Sequence, residues 1–102
     1  MKVWPLHNEK GEIIAFEIPH RFLSSRSIAR YFAGIPGVTV TFVRRLFQFR
    51  EDVHARFEYS GRRFAVWEPW GDSSRLWVGP DEQDPERHDS IDDLIAAVRR
   101  RW

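Results

Sequence analysis

The 102-residue chain predicts an α+β fold: a single, mainly antiparallel sheet with two helices packed on one face, in the order ββ-α-β-β-β-β-α. Three observations predict it. Residues 53–67 hold two runs of β-prone residues joined by Ser60-Gly61, a two-residue loop that favours a hairpin, and Arg75 to Val78 repeats the same alternation. Residues 24–33 and 90–102 instead place apolar residues at helical spacing between capping signals. Each of these segments is apolar on one side only, and one sheet covered by both helices buries all of them. Residues 1–102 are therefore read as a single α+β domain, long enough to bury a core without staples.

In chain order, Lys2 to Leu6 and Glu12 to Ile18 form a first hairpin around Asn8-Glu9-Lys10-Gly11. Pro5 cannot donate to a ladder, so the opening strand belongs at a sheet edge. Ile14, Phe16 and Ile18 point inward in the second strand, which Pro19 and His20 end. Ser24 to Ala33 reads as a helix capped by Ser24 or Ser25 and stopped by Gly34 and Pro36, with Ile28, Tyr31, Phe32 and Ile35 on one side. Ser25-Arg26-Ser27 is explained by capping rather than by an anion site. Gly37 to Arg50 is a long strand in which Val38, Val40 and Phe42 face the core, and a bulge near Arg44-Arg45 returns Phe47 and Phe49 to it. Glu51-Asp52 turns into the central hairpin.

Counting outward from Ser60-Gly61 pairs Glu58 with Arg63, Phe57 with Phe64, Arg56 with Ala65, Ala55 with Val66 and His54 with Trp67. Val53, Ala55, Phe57, Tyr59, Phe64 and Val66 then share the core face, joined by Leu76 and Val78. A loop over Glu68 to Ser74 precedes the last strand, and Gly79 to Asp89 is an acidic loop. The final helix has Ser90 as its cap. Asp92 and Asp93 lie near its positive end, and Arg99, Arg100 and Arg101 near its negative end. Ile91, Leu94, Ile95, Val98 and Trp102 form its apolar stripe.

Composition narrows the function classes. Hydrophobic residues make up 42% and aromatics 15%, which excludes disorder over the whole length. With no cysteine there is no disulfide framework, thiolate metal site or cysteine nucleophile. No stretch approaches a membrane span and the opening residues carry no signal-peptide pattern, so a cytoplasmic location and no membrane partner are expected. The net charge of +1 gives no general affinity for nucleic acid, although residues 21–63 hold nine arginines and residues 81–93 hold seven acids. Arginine outnumbers lysine fourteen to two, the skew of a GC-rich genome, which points to a bacterial source.

The candidate site is the outward face of the central strands, which collects His54, Arg56, Arg63, Trp67, Arg75 and Trp77. Tryptophan and arginine dominate protein hot spots, so a protein partner or a homodimer is expected there. The alternative is a stacking platform for single-stranded nucleic acid. A third reading is ordinary burial of both tryptophans under the chain's own loops. Asp72, Ser73 and Ser74, next to Arg75, make a secondary candidate loop for an anion, with a local side-chain turn as the plain explanation. His7, His20, His54 and His88 show no ligand spacing, so no metal and no cofactor are expected. No strained nucleophile motif or phosphate-binding glycine loop is present.

Two family resemblances touch parts of the chain. The helix–strands–helix order of residues 24–102 is similar to that of double-stranded-RNA-binding domains. Those domains carry lysines at the start of the last helix, where this chain has Ser90-Ile91-Asp92-Asp93, which would repel phosphate. Thr41 to Arg45, TFVRR, resembles a strand of phosphotyrosine-binding SH2 domains, whose arginine would fall on Arg44 or Arg45; the surrounding motif departs and no site is carried over. The expectation is a small non-enzymatic binding domain. Next come a single-stranded nucleic-acid binder on the same face, then an enzyme with an unrecognised site.

Overall fold

The computed structural model describes residues 1–44, 53–68, 74–81 and 90–101. The strand half carrying Arg45, Phe47 and Phe49 and the Glu51-Asp52 turn lie outside the described residues, as do Trp70, Asp72, Ser73, the acidic loop from residue 82 and Trp102. The elements are β1 (Trp4–His7), β2 (Ile13–Pro19), α1 (Ser25–Ala33), β3 (Val38–Val43), β4 (Val53–Tyr59), β5 (Arg62–Trp67), β6 (Arg75–Pro80) and α2 (Ser90–Arg100). The strands form one six-stranded antiparallel sheet in the order β1-β2-β6-β5-β4-β3, with both helices packed against it. This is the α+β architecture expected, and β1 lies at an edge as Pro5 requires.

Local chemistry accounts for the turns and caps. Asn8 Oδ1 accepts from the Lys10 and Glu12 amides at 2.9 and 3.0 Å, which closes the β1–β2 turn. Ser60 and Gly61 both have positive φ, 52° and 73°, the pair that a type I′ hairpin demands. Ser24 caps α1 in a reciprocal box with Ser27, so Ser25 is the first helical residue rather than the cap. At the far end Arg101 Nη1 donates to the Gly34 carbonyl at 2.8 Å and ties the ends of α1 and α2 together.

The core lies between the sheet and the helices. Phe16 and Ile18 of β2, Phe57 of β4, Phe64 and Val66 of β5, and Leu76 and Val78 of β6 meet Ile28, Phe32 and Ile35 and the α2 stripe Ile91, Leu94, Ile95 and Val98. Phe32, Phe57 and Phe64 stack in series, with ring centroids 4.9 and 5.6 Å apart and planes within 18°. One helix side chain is thereby locked into the centre of the sheet.

Two bulges displace what strict alternation predicts. In β3 the register shifts between Val40 and Phe42, earlier than Arg44-Arg45. Phe42 consequently pairs with Arg56 on the open side instead of joining the core. In β4 the pairing predicted from Ser60-Gly61 holds from Tyr59 back to Ala55, then shifts, and Val53 rather than His54 lies opposite Trp67. The strand β6 also runs on through Gly79 and Pro80, two residues read as the start of the acidic loop.

Candidate functional site

Antiparallel register arranges the helix-free side of the sheet into two cross-strand rows. One row runs Trp4, Glu17, Trp77, Trp67 and Val53 across β1, β2, β6, β5 and β4. The neighbouring row holds Leu6 and Ala15, then Gly79, Ala65, Arg56 and Phe42. A Cβ placed on Gly79 would stand 3.1 Å from the Ala15 Cβ and 3.4 Å from the Trp67 ring, so three small residues adjoin beside the tryptophans. The result is an aromatic row beside a strip of small residues in which Ala65 and Gly79 are themselves buried, the Trp67 ring lying against Gly79. Trp67 and Trp77 meet edge to face with centroids 6.0 Å apart, each half-buried.

Each of three arginines on this face stands beside an acid, and Lys2 Nζ adds a further cation over the Trp4 ring at 5.1 Å. Arg56 Nε lies 3.0 Å from Asp81 Oδ2 while its guanidinium covers the Phe42 ring at 5.0 Å. Arg75 stacks on Trp4 at 3.8 Å, with its Nη1 3.8 Å from Glu17 Oε2. Exposed Arg63 stands directly opposite exposed Glu58 in the ladder. Five of the six sequence-predicted residues therefore lie on one face: Arg56, Arg63, Trp67, Arg75 and Trp77. His54 does not. Ser74 is exposed, and its carbonyl accepts from the His20 amide at 3.0 Å; its companions Asp72 and Ser73 lie outside the described residues.

His54 is only 3% exposed and sits on the helix side, because the β4 bulge inserts it where alternation would have reversed it. Its Nδ1 is 2.7 Å from Ser25 Oγ at the start of α1, and its Nε2 is 2.9 Å from Glu68 Oε1. His20 Nε2 reaches the same carboxylate oxygen at 3.2 Å, its ring edge-on to His54 with centroids 6.0 Å apart. The topology explains the meeting. β2 and β5 both run antiparallel to β6, so His20 and Glu68, just past their ends, emerge at the same end of the sheet where β4 begins.

Burial pushes the His54 imidazole below its ordinary range, and the hydrogen bond it donates to Glu68 opposes this without reversing it. Partial burial works to raise the Glu68 carboxyl, but the hydrogen bonds to His54 and His20 outweigh it and hold the group low. At neutral pH the cluster is thus a carboxylate facing a neutral buried imidazole. Hydroxyl, imidazole and carboxylate follow the order of a serine triad, but the ring is reversed, with Nδ1 on Ser25 and Nε2 on Glu68, and Ser25 is 7% exposed.

Sequence reasoning overlooked Ser25, His20 and Glu68 as a group with His54. One signal was available. Ile18 and Val66 are core-facing, so His20 and Glu68, two residues on, continue the core-facing phase of their strands as polar side chains. No family model matches the chain, and neither a curated protein nor a solved structure is significantly similar to it.

Proposed function

We propose that this chain works by binding protein through the open face of its sheet, and that the partner is a second copy of itself. The observation that carries this reading is the row of Trp4, Trp77 and Trp67, each half-buried, on the face opposite both helices. Tryptophan anchors supply much of the affinity of protein contacts. The charges favour a protein over a polyanion. Among the described residues Arg56, Arg75 and Arg63 are matched on the face by Asp81, Glu17 and Glu58, which leaves Lys2 over Trp4 as a small surplus of cations for a phosphate backbone. The mixture of both signs also suits the face to its own two-fold copy.

Sedimentation equilibrium on the wild type beside Trp77→Glu and Arg63→Glu tests the proposal, with acrylamide quenching of tryptophan fluorescence in parallel. The expected result is a wild-type dimer with shielded tryptophans and two monomeric variants. Restoring charge balance in Arg63→Glu/Glu58→Arg recovers the dimer. A wild-type monomer with quencher-accessible tryptophans overturns the self-association reading, and steeply salt-dependent binding of single-stranded DNA overturns it in favour of nucleic acid.

A further inference from the structure

We propose that His20, His54 and Glu68 form a binding site for a divalent transition-metal ion of the zinc class, with Ser25 as the residue that orients His54. One ligand atom from each of the three lies within 4.8 Å of those of the other two. Zinc ligands stand about 2.0–2.2 Å from the metal, so neighbouring donors in a tetrahedral site are about 3.3 Å apart. The two histidine nitrogens lie 2.9 and 3.2 Å from Glu68 Oε1, so those two edges open by a few tenths of an ångström, while the nitrogens themselves, within 4.8 Å of each other, draw together toward about 3.3 Å. Both histidines present Nε2 to the same point.

Ser25 supplies the outer layer that metal-ligating histidines need. In the metal-free cluster Nε2–H donates to Glu68 and Nδ1 accepts from the Ser25 hydroxyl; when an ion binds, the ring proton moves to Nδ1, which then donates to Ser25 Oγ and leaves Nε2 free to ligate. Two imidazoles and one carboxylate suit zinc, cobalt, nickel or ferrous iron and disfavour calcium and magnesium, which prefer all-oxygen shells. Three ligands among the described residues leave a further coordination position for water, an anion or another side chain. The His54 side chain is 4% exposed, His20 18% and Glu68 41%, so the Glu68 side of the cluster is the one nearest solvent. This inference is independent of the sheet-face reading, since the cluster lies on the helix side.

The test is a titration of chelator-treated protein with Zn²⁺ by calorimetry and with Co²⁺ by visible absorption. The expected result is one ion per chain, with the His20 and His54 ring signals in the proton NMR spectrum shifting together on Zn²⁺ addition. Ser25→Ala lowers affinity about 10–100-fold, as loss of an outer-shell partner does, and His20→Ala and Glu68→Gln lower it further. His7→Ala, on exposed β1 sequence, leaves it unchanged. His20→Ala and Glu68→Gln alter partly exposed side chains, and circular dichroism verifies that both remain folded. Absence of saturable Zn²⁺ binding overturns the proposal, as does binding that survives both substitutions or leaves the two ring signals unmoved.

Discussion

Ser25 Oγ and His54 Nδ1 lie 2.7 Å apart across 29 residues of sequence, joining the first turn of α1 to the bulge that opens β4. Both residues are buried, so neither partner can turn to water if the other is lost. The contact holds a histidine that the sheet turns inward, and it sets which ring nitrogen faces Glu68.

Ser25→Ala strands the Nδ1 of a buried imidazole. An unpaired buried polar group costs about 1–3 kcal/mol, and urea unfolding should show a loss of that size. Ser24→Ala, which removes the helix cap, should cost about 1 kcal/mol. Equal, negligible effects of both would show that His54 finds another partner.

Acid should destabilise the metal-free protein in two stages. The His54 pKa is depressed from 6.5 chiefly by burial, with Arg44 and His20 adding to the effect and Glu68 opposing it. The unfolded chain therefore takes up this proton first, and stability present above about pH 6.5 is lost as pH falls toward the folded value. Glu68, held below 4.5 against its own desolvation by His54 and His20, contributes stability that disappears as pH falls through its folded pKa. Melting temperatures measured in chelator from pH 8 to 3 check this, and a flat profile between about pH 7 and 5 would contradict it.

Gly79→Ala should be destabilising by about 1 kcal/mol, the low end of overpacking costs. The new methyl would stand 3.1 Å from the Ala15 Cβ, tighter than ordinary contact. The double variant Gly79→Ala/Ala15→Gly relieves that contact and should recover part of the loss in chemical denaturation.

Phe57→Ala should cost about 3–5 kcal/mol. Phe57 is 1% exposed and stands between Phe32 and Phe64 in the ring stack, so its removal leaves a cavity under α1 as well as within the sheet. The midpoint of urea unfolding reads the effect.

Much of this was legible in the chain because turn chemistry fixes register. Ser60-Gly61 has the positive φ pair that sets a two-residue hairpin, and the five pairs from Ala55–Val66 to Tyr59–Arg62 follow from it. The count failed at His54 because nothing in Val53-His54-Ala55, no glycine or proline, marks a bulge. The same blindness displaced Phe42 to the open face. The histidine cluster was hidden differently. Ser25 sits in a capping sequence, His20 follows a strand-ending proline and Glu68 opens a loop, so each has an ordinary local explanation. Only the pairing of β2 with β6, which no local pattern announces, brings His20 to Glu68 across 48 residues.

That pairing also fixes the order in which the sheet can be made. β1–β2 and β3–β4–β5 are each joined to their own sequence neighbours, and β6 alone lies between the two sets. A chain emerging from the ribosome therefore holds a hairpin and a three-stranded meander that cannot join until Arg75–Pro80 is free. Until then β2 and β5 each present an open edge rich in Phe, Ile and Val, the kind of surface that recruits foreign strands. Synthesis of β6 closes both edges at once.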